Sequence, residues 1–344
     1  MNSKERFMAA LAGSAMDRIP VFPLLMSFSA KRYGVNYKMF ASNAHILAES
    51  QLKASEMFAI DAITACSDAF RISADLGGNI CFPPDKPPYL AEPLIKSEDD
   101  FYHLKRPDVF SFKGRMHDRI KGTGEMVKAA GAHTMVVGWV DMPFAEACSV
   151  CGVTQMLLHL YDDPEFAHQL LEFLTEIVID FALAQLDTGA PVIGAGDAAA
   201  SLISPDLYKE FALPYERRVS DAIHKAGGLL KLHICGNTNA LLPDMVKSGA
   251  DLFNVDHMVD LASARQVFGR AQKCIKGNLD PVSDMLQATP EQCRHKALEC
   301  MHMMNGYPYM LSPGCEVPAE VNDEVFDSFC GSSQVFRATE SAKS

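Results

Sequence analysis

Eight short apolar runs with strand character, separated by helical stretches, restrict this chain to a few folds. The runs lie near residues 19–25, 62–66, 134–140, 190–196, 229–234, 252–255, 273–277 and 309–312. Strand–helix alternation of this kind builds parallel α/β structure, and eight is the count of a (β/α)8 barrel. A doubly wound open sheet alternates too, but it carries a Gly-rich phosphate turn after its first strand. Gly194-Ala195-Gly196 lacks the rest of that pattern. The expected fold is therefore α/β, a (β/α)8 TIM barrel, preceded by an N-terminal extension with a helix over 4–12.

The spacing predicts further helices near 43–58 (capped by Asn43), 144–158, 164–187, 204–225, 238–247, 261–268, 290–304 and 318–329. Residues 79–110 are proline-rich and aperiodic. Around Phe82-Pro83-Pro84-Asp85-Lys86-Pro87-Pro88 they read as an ordered excursion after the second strand. One domain over 1–344 is expected, with 338–344 as a frayed tail. Pro20 and Pro23 make the first run the weakest strand, since proline gives no ladder donor.

Charge and composition remove several function classes. Net charge is −12 with no Lys/Arg-rich block, which argues against a nucleic-acid partner. No apolar run approaches the roughly 18 residues of a membrane span. The amphipathic N-terminus has no secretory h-region, so a cytoplasmic protein is expected. In that setting the ten scattered cysteines read as reduced thiols. The eighteen methionines and the single tryptophan, Trp139, read as packing residues.

In a barrel the working residues sit at the C-terminal strand ends. Those ends carry Asp68, Asp141, Asp197, His233 with Cys235, Asp256, Asn278 with Asp280, and Cys315. Residues i and i+2 of a strand share a face, so His233 and Cys235 leave the fifth run side by side. Cys315 follows the eighth run, and barrel closure brings it to the same rim. One imidazole and two thiolates suit Zn²⁺, and three protein ligands with an open fourth place is the catalytic pattern. On spacing alone the trio also fits two buried cysteines and a core histidine, and each aspartate also fits a turn.

Cys148-x-x-Cys151 has metal or redox spacing but no second pair, and reads as structural. His257 beside Asp256 fits a spare ligand, a proton handler or a loop residue. No nucleophile elbow or Gly-Lys-Ser/Thr loop supports a serine hydrolase or P-loop enzyme.

Three stretches resemble the uroporphyrinogen decarboxylase superfamily. They are Ser204-Pro205-Asp206-Leu207-Tyr208 through Tyr215, Leu232-His233-Ile234-Cys235-Gly236-Asn237, and Gly277-Asn278-Leu279-Asp280-Pro281. Lys4-Glu5-Arg6-Phe7 and Asp17-Arg18-Ile19-Pro20-Val21 fit the same group. The decarboxylases place a Met-Arg-Gln-Ala-Gly-Arg-type run after their first strand. Here that place reads Leu25-Met26-Ser27-Phe28-Ser29-Ala30, with no arginine before Arg32. A substrate with eight carboxylates needs fixed guanidinium partners, so the decarboxylase activity is disfavoured, although Asp68 matches the decarboxylase aspartate.

His233-x-Cys235 with Ser312-Pro313-Gly314-Cys315 is similar instead to the zinc-containing corrinoid methyltransferase branch, typified by methylcobalamin:coenzyme M methyltransferases. The resemblance implies Zn²⁺ on His233, Cys235 and Cys315, and methyl transfer between a corrinoid on a partner protein and a small-molecule thiol or similar acceptor. At the strand ends, Asp197 or Asp256 is expected to orient the acceptor or act as a displaceable ligand, with Asp68 and Asn278 expected in substrate binding. A tetrapyrrole decarboxylase, a demethylating transferase onto reduced corrinoid, and a non-catalytic zinc or corrinoid-handling protein stay as alternatives.

Overall fold

A computed structural model describes residues 1–111 and 113–336; the tail 338–344 lies outside the described residues. The strands are β1 (Ala62–Thr64), β2 (Ile80–Cys81), β3 (Tyr89–Leu90), β4 (Met135–Asp141), β5 (Val192–Gly196), β6 (Leu229–Ile234), β7 (Leu252–Val255), β8 (Cys274–Leu279) and β9 (Tyr309–Pro313). Seven of them form one parallel sheet in the order β1-β4-β5-β6-β7-β8-β9, curled into a barrel, while β2 and β3 pair as a separate antiparallel hairpin. Helices on the outside and packed side chains on the inside bury the strands on both faces, so most read as nearly unbroken apolar runs. Every residue of β4 is buried.

The first expected strand is not a regular strand. Residues 20–24 lie between β9 and β1, with isolated parallel bridges Val21–Leu311 and Leu24–Glu316. Phe22 N–H donates to the Leu311 carbonyl at 2.9 Å, and Leu311 N–H donates to the Pro20 carbonyl at 2.8 Å. On the other side Asp61 N–H donates to the Val21 carbonyl at 2.7 Å. Pro20 and Pro23 have no N–H to continue the ladder, and Val21 N–H turns to the Asp61 carboxylate at 2.8 Å. The segment closes the sheet without being a ladder strand.

The N-terminal helix Ser3–Leu11 is held by a capping box between Asn2 and Glu5. Phe7 and Ala10 pack against Ala62, Met135, Val192, Leu252 and Cys274, the starts of five strands, and so plug the N-terminal end of the barrel. Arg6 and Arg18 both donate to the buried Asp61, at 2.6 and 2.7 Å, and fix this plug to the wall. Above it the ammonium groups of Lys231 and Lys276 lie 4.5 Å over Trp139 and 4.1 Å over Phe22. With the lower end sealed, the C-terminal strand ends are the open face.

Several helices depart from expectation. The 144–158 helix breaks into Pro143–Cys151 and Val153–Asp162 at Gly152, and 204–225 breaks into Pro205–Phe211 and Leu213–Lys225 ahead of Pro214. The 238–247 helix shrinks to Leu242–Met245 plus a 3₁₀ turn, and the last helix runs Asp323–Val335 rather than 318–329. The proline-rich excursion contains the β2–β3 hairpin and the short helix Glu98–Tyr102. The helix Arg115–Ala130 gave no expectation, because its apolar positions are interleaved with Arg, Lys and Gly. Among the described residues, no helix is long and apolar enough to cross a membrane.

Candidate functional site

The end of β6 and the loop after β9 meet as closure requires. His233 Nε2 lies 3.1 Å from Cys235 Sγ, and Cys235 Sγ lies 3.8 Å from Cys315 Sγ. One ligand atom from each residue falls within 4.8 Å of the others, and no other group of three or more His, Cys, Asp or Glu does so among the described residues. Gly314 explains the approach of Cys315. A Cβ at Gly314 would stand 2.2 Å from the His257 nitrogen, so only glycine lets this loop lie against residues 256–257. At the other ligand pair, Gly236 takes φ +85°, turning the chain away directly after Cys235.

The donor set fits a zinc ion. His233 Nδ1 donates to the Asn254 carbonyl at 3.0 Å, which leaves the Nε2 lone pair facing the sulfurs. Two sulfurs bound tetrahedrally at about 2.3 Å from one metal stand about 3.8 Å apart, the spacing found for Cys235 and Cys315. The hydrogen bond from Cys235 and the neighbouring His233 pull the Cys315 thiol down to about 3, while the same bond and burial push Cys235 up.

The trio opens into a cavity of about 600 Å³ that also meets Asp68, Trp139, Asp141 and the hairpin residues Tyr89 and Leu90. Asp68 reaches this cavity, but its carboxylate is engaged. Arg115 donates to its two oxygens at 2.8 and 3.0 Å, with Arg71 at 3.5 Å and Arg119 at 4.0 Å. Against the cost of burial, these guanidiniums hold the Asp68 carboxyl well below the usual carboxylate range.

The other expected site residues sit around the trio rather than in the cavity. Asp197 N–H donates to the His233 carbonyl at 2.9 Å, tying β5 to the ligand strand. Its side chain is fully buried near Glu216, which accepts from Tyr208 at 2.6 Å. Both Asp197 oxygens and one Glu216 oxygen are buried with no hydrogen-bond partner among the described residues. Burial and the Glu216 charge push Asp197 well up, and burial pushes Glu216 up to about 7. Asp256 accepts from Met258 N–H at 3.0 Å and pairs with His257 at 2.9 Å. Asn278 donates to the carbonyls of Asp256 and Val259 at 3.0 and 2.8 Å, pinning the loop behind Cys315.

Three features were not anticipated. Trp139, read as packing, is a wall of the cavity, as is Cys148 of the Cys148-x-x-Cys151 pair. The guanidinium cage around Asp68 comes from Arg71 on the short helix Arg71–Asp75 and from Arg115 and Arg119 on the helix Arg115–Ala130, with no sequence signal. Asp141 was visible as a strand-end aspartate, and it lies in the cavity with its carboxyl pushed up to about 7 by burial, opposed by Arg119. The ten cysteines are all free, as expected.

Known proteins resemble the chain over nearly its full length. A methylated-thiol–coenzyme M methyltransferase from Methanosarcina mazei is 28% identical over 307 residues, covering 88% of this chain and 81% of the relative. A uroporphyrinogen decarboxylase from Chlorobium phaeovibrioides is 26% identical over 312 residues, covering 86% of each. Among solved structures, a methyltransferase from Methanosarcina mazei superposes with a TM-score of 0.88 at 21% identity, covering 97% of this chain and 98% of the other, a likeness of fold. The uroporphyrinogen decarboxylase (URO-D) family matches residues 2–333, and the chain belongs to that family.

Proposed function

We propose that this chain is a zinc-dependent methyltransferase that moves a methyl group between a corrinoid, carried on a separate protein, and a thiol or similar small molecule. The observation that carries the reading is the convergence of His233 Nε2 and the Cys235 and Cys315 sulfurs on one point at the cavity floor. The Methanosarcina relative named for methylated-thiol and coenzyme M chemistry supports it. Zinc bound there would lower the pKa of a thiol placed in its fourth position, so that the sulfur is a nucleophile at neutral pH.

This chain's residues supply the rest. His233 is fixed in one tautomer by the Asn254 carbonyl. Asp197 and Asp256 are positioning residues, the first through its bond to the His233 carbonyl and the second through the 256–258 loop against Gly314. Asn278 acts on the same loop, and Asp68 bounds the cavity as a neutralised wall. The open C-terminal rim is where a corrinoid protein would dock.

The reverse direction, demethylation onto reduced corrinoid, has one observation in its favour. Asp141 faces the cavity as a carboxyl that keeps its proton up to about pH 7, where it can donate to a departing heteroatom. The tetrapyrrole decarboxylase reading has less. Arg32, the first arginine after the opening segment, donates to the Ala319 and Val321 carbonyls and to Asp323, away from the cavity.

The test is metal analysis of the wild type and of His233→Ala and Cys315→Ala, with methyl-corrinoid and reduced corrinoid followed by visible absorbance. One zinc per chain, lost with activity in both variants, is expected. Full methyl transfer by a zinc-free double variant would overturn the reading, and release of CO₂ from uroporphyrinogen would replace it.

A further inference from the structure

We propose that the small molecule taken by this cavity is an uncharged, mostly apolar methyl ether, methyl thioether or thiol with an aryl or alkyl body, and not a sulfonate or carboxylate. The assignment of its reacting heteroatom rests on the methyl-transfer reading; the chemistry of its body does not.

The walls are the first argument. The cavity of about 600 Å³, ample for a substituted aromatic or alkyl body, is faced by Leu24, Phe70, Leu90, Pro93, Trp139 and Leu202. Its sulfur atoms outside the trio belong to Met26, Cys66 and Cys148, and burial holds both of these thiols in the neutral form. Apolar and polarisable surfaces of this kind favour neutral ligands.

Charge is the second argument. Each arginine near the wall is turned onto the protein. Arg115 serves Asp68 and the Phe70 and Ala41 carbonyls. Arg119 donates to the Asp68 carbonyl at 2.6 Å and to Ser67 at 3.2 Å. Arg71 donates to Asp118 and to the Ala41 carbonyl. Lys231 and Lys276 are buried below the cavity against Trp139 and Phe22. An anionic ligand would lose its water and find no free guanidinium, and the charge of a zinc ion on the trio would already be offset by two thiolates.

The third argument is a polar handle on the row of the trio, Asp141, distinct from Asp68, whose carboxylate is already taken by Arg115. Asp141, Gly196 and His233 are aligned across β4, β5 and β6, so Asp141 sits on the same row as the metal-facing imidazole, two strands away. The Asp141 carboxyl extends over Gly196, where a Cβ would meet its Oδ1 at 3.2 Å. A neutral ligand with its heteroatom at the trio can accept one hydrogen bond from this carboxyl. A carboxylate or sulfonate would be repelled once the carboxyl ionises.

Trp139 is the only tryptophan in the chain and lines the cavity, so its emission reports occupancy with or without metal. The test titrates the protein with thioanisole and with 2-(methylthio)ethanesulfonate, two methyl thioethers that differ in charge. Wild type and the Cys315→Ser variant are both used. Thioanisole should saturate the Trp139 signal in both, with a dissociation constant at least tenfold below that of the sulfonate. Leu202→Arg, which sets a guanidinium at an exposed lining position, should narrow that gap. The proposal falls if the sulfonate binds as tightly to the wild type, if neither compound alters the emission, or if Leu202→Arg leaves the gap unchanged. Wild type that binds thioanisole but no zinc would strike the methyl-transfer reading alone and sustain this one.

Discussion

Two sides of one cavity use polar residues in opposite ways. At the end of β6 and after β9, His233, Cys235 and Cys315 present a nitrogen lone pair and two sulfurs to one point. Across the cavity Asp68 presents a charge already matched by Arg115, Arg71 and Arg119. The first arrangement turns its lone pairs toward one point, and the second has its carboxylate matched within the protein. Burial alone therefore does not mark a functional group here; what matters is whether its bonding capacity is already used.

The largest effect should come from the side of the trio. Cys235→Ser and His233→Ala should each weaken zinc binding by about 100-fold or more, since even loss of a ligand's supporting partner costs about 10–100-fold. Competition with a chromophoric chelator measures this. The urea midpoint of the metal-free proteins should hardly move, because the trio adds little to a metal-free core. A large drop in that midpoint would mean that the trio is packing.

Asp68→Ala should reverse the pattern. It leaves three guanidiniums without their carboxylate in a buried setting, and removing one partner of such a network costs about 3–5 kcal/mol. Urea unfolding should show that loss while zinc stoichiometry stays at one. Loss of zinc from a folded Asp68→Ala protein would erase the distinction between the two sides.

The pH dependence of stability separates the caged acid from the buried pair. Asp68 has a depressed pKa in the fold, so its stabilisation is present above the ordinary carboxylate range and is lost only as pH falls well below it. Glu216 is the opposite case. Burial raises it to about 7, so the folded state binds more protons than the unfolded one between the two pKa values. The Glu216 contribution should fall as pH rises from about 4.3, the unfolded value, to about 7, while Asp197, pushed further up, extends the loss to higher pH. Glu216→Gln keeps an acceptor for Tyr208 and should flatten that slope in urea titrations from pH 4.5 to 7.5. An unchanged slope would place the proton elsewhere.

Asn278→Ala should have the smallest effect. It removes two hydrogen bonds to the Asp256 and Val259 carbonyls and should cost about 1–3 kcal/mol. Because that loop backs Gly314, a modest rise in zinc dissociation should accompany it, visible in the chelator assay. Unchanged zinc affinity would make Asn278 a loop anchor alone.

The trio was legible because each member stands at a strand end, and strand ends are set by where apolar runs stop. Seven of the eight runs became sheet strands for the same reason. The first did not, since Pro20 and Pro23 carry no donor and Val21 N–H found a side chain instead. The cage around Asp68 was not legible. Arg115 and Arg119 lie on a helix whose charged face looks solvated in sequence, and only the packing of that helix against β4 turns it inward. Trp139 stayed hidden for a related reason. An apolar residue in an apolar strand has no mark that tells core from cavity wall.

The central claim is a three-ligand zinc site with one place free for sulfur. Zinc K-edge X-ray absorption of the loaded protein, recorded before and after addition of phenylmethanethiol, tests it most directly. The account predicts two sulfurs and one imidazole nitrogen with one light-atom neighbour, changing to three sulfurs when the thiol is added. Four protein ligands that the thiol leaves unchanged would contradict it.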